Sequence, residues 1–239
     1  MIQLLIANVF FILWSHFLNY AGTFLLHSQQ FFNCYSCKET ICWKAIIPFQ
    51  QTQCSCNTPL FYQPFWLTVL GLIIFNGTYF TQDRYFIISL LFSSLLFICI
   101  RTDAETSLLS RFTTIYPVPI FLLAGYFDLL PVPFWESLAG VILGYGFLYA
   151  IRSIFFYVTR REGLGLGDIE LIALIGSFLG PLGVWFSILA GSIAGSCFIL
   201  IQRIVTQQNI RQAPFGPFLG VSALLYFIFK VDIVILSFL

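Results

Sequence analysis

The sequence predicts an all-α membrane protein, a polytopic bundle of about eight transmembrane helices with a small cysteine-containing loop domain. Two observations predict it. Of 239 residues, 59% are hydrophobic and only 9% charged, whereas a soluble domain carries about 25% charged residues to keep its surface wet. The apolar residues also fall into long runs separated by charges and by Pro or Gly, and a bilayer-spanning helix needs about 20 of them. The 29 phenylalanines suit helices packed against lipid. A net charge of +1 without a basic run gives nucleic acid nothing to hold, so the expected partner is the lipid bilayer.

Taken in order, the runs are Ile2–Leu26, Pro64–Phe80, Tyr85–Ile100, Thr113–Leu130, Pro133–Tyr157, Ile169–Leu179, Gly183–Ile204 and Phe218–Leu236. The first has no basic start and no small-residue cleavage site, so it reads as a retained helix and not a removed signal. The sixth is too short to span alone. It begins in the glycine-rich run Gly163–Asp168 and ends at Gly180-Pro181, which reads as a tight turn. Short helices at membrane depth occur beside protein or a wet cavity. The expected domains are therefore a first helix (1–26), a cysteine loop (27–63) and a seven-helix membrane domain (64–239).

Orientation follows the positive residues. With the N-terminus outside, one side receives Lys38, Lys44, Arg101, Arg111, Arg152, Arg160, Arg161, Arg203 and Arg211; the other receives only Arg84 and Lys230. The first side is thus expected to be cytoplasmic. It also receives every polar segment of any length: 27–63, 101–112, 158–168 and 205–217.

Acids are few enough to weigh singly. Asp83, Asp128, Glu136 and Asp232 fall near the opposite helix ends and read as solvated interfacial charges. Asp103, Glu105, Glu162, Asp168 and Glu170 gather on the basic side. Intramembrane acids are costly and usually face the bundle interior. The bland reading pairs them with Arg101, Arg111, Arg160 or Arg161. Against it stands the setting of Asp168, preceded by alternating Gly163, Gly165 and Gly167 and opening an apolar helix. Glycine admits backbone conformations closed to other residues and lets a second chain approach closely. A helix N-terminus favours a carboxylate. A glycine-lined strand beside a carboxylate suits a protease, which binds its substrate extended. No strand precedes the run, so it is not a dinucleotide-binding motif.

Seven cysteines occur, five of them in the loop: Cys34, Cys37, Cys42, Cys54 and Cys56. Disulfides are disfavoured in the cytoplasm, so clustered thiols there point to a metal. Four thiolates around zinc are a common structural site, with Cys34, Cys37, Cys54 and Cys56 as the natural set. The tight Cys54-Ser55-Cys56 spacing is less usual, and Cys42 is an alternative ligand. Free thiols and a redox dithiol are the other readings. Cys99 and Cys197 lie in apolar runs and read as core; His16 and His27 read as structural.

Residues 163–180, Gly-Leu-Gly-Leu-Gly-Asp-Ile-Glu-Leu-Ile-Ala-Leu-Ile-Gly-Ser-Phe-Leu-Gly, resemble the signature of the type IV prepilin peptidases, the Gly-x-Gly-Asp membrane aspartic proteases. Four further segments resemble family motifs in the family's order. They are Ser15-His16-Phe17-Leu18-Asn19; Cys34-x-x-Cys37 with Ile47-Pro48 and Cys54/Cys56; Asp103-Ala-Glu105-Thr106-x-Leu108-Leu109; and Pro214-Phe215-Gly216-Pro217-Phe218-Leu219. The resemblance implies Asp103 and Asp168 as the catalytic pair, acting at the cytoplasmic face of a bacterial inner membrane. It implies removal of the basic leader of a prepilin or pseudopilin after a Gly. N-methylation of the new terminus with S-adenosylmethionine would follow. Two carboxyls sharing one site hold a single proton between them. The ionised one takes a proton from water and the protonated one polarises the scissile carbonyl.

The chain departs from the pattern in three places. Glu170 stands where the family commonly has Lys, Ser110-Arg111 where it often has Pro-Asp, and the first-helix glycine is missing. The first two of these departures favour a rival reading, a catalytically silent scaffold of a pilus or secretion system. A thiol oxidoreductase would need the cysteine loop on the oxidising side, and a transporter would place its acids at the midplane.

Overall fold

A computed structural model describes residues 7, 10–15, 17, 18, 21, 22, 85–160, 163–206 and 214–237. Two compact units divide the chain, Met1–Asn76 and Gly77–Leu239. In the first, residues 10–15 are helical. Phe10 stacks on Trp14, and Trp14 packs on Phe17, with ring centroids 6.0 and 5.4 Å apart. The predicted second span and the whole cysteine loop lie outside the described residues.

The described part of the second unit is helical: α1 (Phe86–Thr106), α2 (Val118–Tyr126), α3 (Phe134–Thr159), α4 (Leu166–Thr206) and α5 (Gly216–Ser237). Among the described residues, three stretches are long and apolar enough to cross a membrane: Phe86–Ala104, Phe134–Thr159 and Leu166–Val205. The distribution of side chains suits lipid. Trp135, Ile142 and Ile154 on α3 are exposed, while Arg101, Asp103 and Glu170 are buried, the reverse of a water-soluble protein.

Helix α4 is two helices folded back on each other. A straight helix of its 41 residues would run about 60 Å, twice the hydrocarbon core. A Cβ on Gly144 of α3 would touch both Ile172 (2.6 Å) and Val184 (3.3 Å). These two residues would stand about 18 Å apart on a straight helix. The reversal occurs at Gly180, whose φ of 72° and ψ of −172° are non-helical, and Pro181 follows it. Only glycine adopts such a conformation cheaply. The predicted turn at Gly180-Pro181 is therefore present. The first half carries fully buried Ile169, Leu171, Ile172, Leu174, Ile175 and Phe178, as a short helix at membrane depth requires.

Small residues let α3 and the folded α4 meet backbone to backbone. A Cβ on Gly140 would run into the Gly176 carbonyl, and one on Gly176 into the Gly140 carbonyl. Gly140 on α3 faces both Gly176 and Gly180 on α4, which stand one turn apart at the small-xxx-small spacing of membrane helices.

The fourth predicted span is corrected. Instead of a helix over 113–130, hydrogen-bonded turns at 111–117 lead into a helix of only nine residues, Val118–Tyr126, about 14 Å long. Pro117 and Pro119 lack the N–H that would continue a helix upward. Helix α2 still contributes Phe121 to an aromatic core. Phe92 stacks on Phe178 (4.0 Å, 10°) and meets Phe121 and Phe227 edge-on at 5.9 and 6.3 Å.

That core sets the register of the site. Asp103 lies eleven residues beyond Phe92, Asp168 ten residues before Phe178, and Gly216 eleven before Phe227. Each separation is about 15–17 Å of helix. The end of α1 and the starts of α4 and α5 therefore rise to one level above the same aromatic layer.

Candidate active site

Asp103 occupies the last turn of α1. Its backbone carbonyl accepts the Ser107 N–H at 2.8 Å, and Ser107 ends the helix in the left-handed conformation (φ 54°). Its side chain is buried, and Oδ2 accepts a hydrogen bond from the Gly216 backbone N–H at 2.9 Å. The first N–H groups of a helix have no partner within it and attract anions, so the start of α5 is a ready seat for this carboxylate. Glycine is needed there. A Cβ on residue 216 would stand 2.6 Å from Asp103 Oδ2 and 3.0 Å from its Cγ. The Pro-Phe-Gly-Pro segment was legible as a helix entry, but its contact with Asp103 was not.

Asp168 lies in the first turn of α4, half-buried. Its carboxyl lies within electrostatic reach of Asp103, the other acid singled out by the sequence.

The three glycines before Asp168 divide by role. A Cβ on Gly163 would press into the Phe155 ring (2.5 Å), and one on Gly167 into Leu109 Cβ (2.9 Å). These two glycines make room for the protein's own side chains. Gly165 is exposed, and a Cβ there would meet nothing but the Asp168 carboxyl, at 3.3 Å from Oδ2. None of the three has positive φ, so the expected special backbone conformation is corrected to close approach. Arg152 of α3 holds the run from the side, its Nε donating to the Leu164 carbonyl at 3.1 Å.

Glu170 follows the bland reading. Its Oε1 lies 3.2 Å from Arg111 Nε, and its Oε2 accepts the Thr114 hydroxyl at 2.9 Å. Two of the chain's departures from the family pattern are thus each other's partners.

Cys34, Cys37, Cys42, Cys54 and Cys56 fall outside the described residues, as do His16 and His27. Among the described residues no group of three His, Cys, Asp or Glu forms a metal cluster. Cys99 is buried, as expected. Cys197 is exposed, which corrects its reading as core: it lies in the second half of α4, on a face that no described residue covers.

Comparison with known proteins finds similarity over the same stretch of chain. Residues 89–200 match the type IV leader peptidase family, a segment that runs from α1 through α4 and holds both aspartates. Over this segment, just under half of its length, the chain resembles the type IV leader peptidase family. A "Type 4 prepilin-like proteins leader peptide-processing enzyme" of Escherichia coli is 33% identical over 103 residues, 43% of this chain and 37% of that protein. A "Prepilin leader peptidase/N-methyltransferase" of Pseudomonas aeruginosa is 31% identical, covering 50% of this chain and 41% of that one. One of Neisseria gonorrhoeae is 30% identical over 165 residues, 68% and 49% of the two chains. The chain therefore spans less than half the length of each. No solved structure is significantly similar.

Proposed function

We propose that this protein is a membrane aspartic endopeptidase that removes the leader of prepilins or pseudopilins, with Asp103 and Asp168 as the catalytic pair. The observation that carries the reading is that two acids from separate helices lie within electrostatic reach of each other, one of them seated on the Gly216 amide. The names of the relatives supply the substrate class.

In this reading the pair holds one proton. The ionised carboxyl takes a proton from water as the water oxygen bonds to the scissile carbonyl carbon. The protonated carboxyl gives its proton to the carbonyl oxygen. Collapse of the tetrahedral diol breaks the C–N bond: the leaving nitrogen takes the proton of the protonated carboxyl while a diol hydroxyl gives its proton to the ionised one, so the pair again holds one proton. Exposed Gly165, bare of side chain beside Asp168, leaves room for an extended substrate. The basic ends face the cytoplasm, in a bacterial inner membrane that the chain crosses several times.

The silent-scaffold reading rested on Glu170 and Ser110-Arg111. Their ion pair leaves no unmatched charge at those positions, which removes most of its support. The test is purified protein in lipid nanodiscs mixed with a synthetic prepilin whose leader ends in Gly. A product shortened at that Gly is expected, and an unchanged substrate defeats the reading. Adding S-adenosylmethionine should raise the product's mass by one methyl group if methyl transfer accompanies cleavage.

We also propose a structural zinc on Cys34, Cys37, Cys54 and Cys56, whose four thiolates suit that ion. Such a site contributes folding free energy to its own loop. Metal analysis under reducing conditions should find about one zinc per chain, and Cys34→Ser with Cys37→Ser should remove it. The double variant should lose methyl transfer more than cleavage. A metal content near zero in the wild type ends the proposal.

A further inference from the structure

Asp103 and Asp168 sit on different helices, so some contact must hold the start of α4 against the end of α1. The connection after α1 supplies it. Ser110 folds this connection into a rigid turn, its carbonyl accepting Thr113 N–H (3.0 Å), Thr114 N–H (3.2 Å) and the Thr113 hydroxyl (2.8 Å). From that turn two grips reach α4. Leu109 packs where Gly167 lacks a side chain, and Arg111 with Thr114 holds both oxygens of the Glu170 carboxylate. Gly167 and Glu170 bracket Asp168 on either side.

We propose that Arg111, Thr114 and Glu170 form a latch that positions Asp168 against Asp103. They are positioning residues: none is given a proton-transfer role, and Glu170 has both oxygens occupied. The latch rests on the peptidase reading above. Its chemistry is suited to the task. A buried carboxylate is held by one ionic and one neutral donor from the same turn, which fixes both the distance and the rotation of the first turn of α4. Arginine supplies the ionic contact through Nε. Its guanidinium is two-thirds exposed, so its charge stays solvated while Glu170 is covered.

The test is steady-state cleavage by wild type, Arg111→Ala, Glu170→Gln and the exchanged pair Arg111→Glu with Glu170→Arg, each with its thermal unfolding recorded in detergent. Arg111→Ala and Glu170→Gln should lower kcat about tenfold or more, since small misplacements of catalytic groups carry penalties of that order. KM should stay within about twofold, because uniform substrate binding is untouched. The exchanged pair should recover at least half of the lost activity on a logarithmic scale, the coupling that a double-mutant cycle isolates. If Arg111→Ala fails to unfold cooperatively, Glu170→Gln carries the test, since its amide still accepts from Thr114. Wild-type kcat in Glu170→Gln, or an exchanged pair no better than the single variants, overturns the latch. No cleavage by the wild type would instead defeat the peptidase reading beneath it.

Discussion

Asp103→Asn and Asp168→Asn each lower leader cleavage by about a thousandfold or more, while the protein still inserts and keeps its helices. An amide cannot take a proton from water at neutral pH, and it cannot share one as a carboxylic acid does. In the proposed mechanism either substitution removes a partner from a two-member proton relay, and neither remaining group can play both parts. Asparagine matches aspartate in volume, so packing around α1 and α4 should persist. For Asp103 the variant is particularly clean, because an asparagine Oδ1 can accept the Gly216 N–H in place of the carboxylate oxygen. The double variant should be no worse than the poorer single one, as for residues that act as a unit. Glu105→Gln should keep activity, since the reading gives Glu105 no part. Cleavage at wild-type rate by either aspartate variant would reassign the chemistry to other groups.

The helices were legible where one physical signal dominated. α1, α3 and α5 are long, mainly apolar runs, and their observed ends lie within a few residues of the hydropathy boundaries except where α1 continues through Arg101 and Asp103 to Thr106. Arg101, Thr102 and Asp103 look like a loop by polarity, yet they are buried and helical, because the bundle and not the water surrounds them. α2 was overread for the opposite reason. Hydropathy records that 113–130 is apolar but not that Pro117 and Pro119 restrict the backbone. The turn at Gly180 was legible because glycine followed by proline is a conformational statement.

The site divides in the same way. Asp103 and Asp168 could be chosen from local motifs, since each carries its context in neighbouring residues. Their partners could not. Gly216 reaches Asp103 across 113 positions and Thr114 reaches Glu170 across 56, and no local pattern encodes which distant groups will meet. Two apparent defects of the sequence, Arg111 and Glu170, become intelligible only as a pair. Gly163 and Gly167 show the converse. The motif suggests a substrate groove, and the structure adds that each of these two glycines also makes room for a neighbouring side chain, Phe155 or Leu109.

Gly216→Ala should cost about 10- to 100-fold in kcat with little loss of thermal stability, and this combination is informative. Residue 216 opens α5 and does not have positive φ, so alanine fits the backbone and, if anything, favours the helix. The added methyl has one problem, the Asp103 carboxylate at 2.6 Å. Because the methyl is fixed to the backbone, the carboxylate must rotate or the start of α5 must lift, and either movement lengthens the bond between Gly216 N–H and Oδ2. The damage is thus confined to the orientation of one catalytic group. Gly220→Ala, one turn further along the same helix, provides the contrast. Its Cβ would press on Ile100 at 2.5 Å from Cγ1, an overpacked contact between α5 and α1 that should cost about 1–3 kcal/mol of stability. Its folded fraction should cleave near the wild-type rate, because Ile100 lies most of a turn from Asp103 and a side chain can yield where a carboxylate held in a dyad cannot. Measuring kcat and the unfolding temperature for both variants separates the two effects. A Gly216→Ala protein with full kcat would show that the Asp103 carboxylate tolerates displacement, and the seat on the α5 N-terminus would then have no catalytic weight.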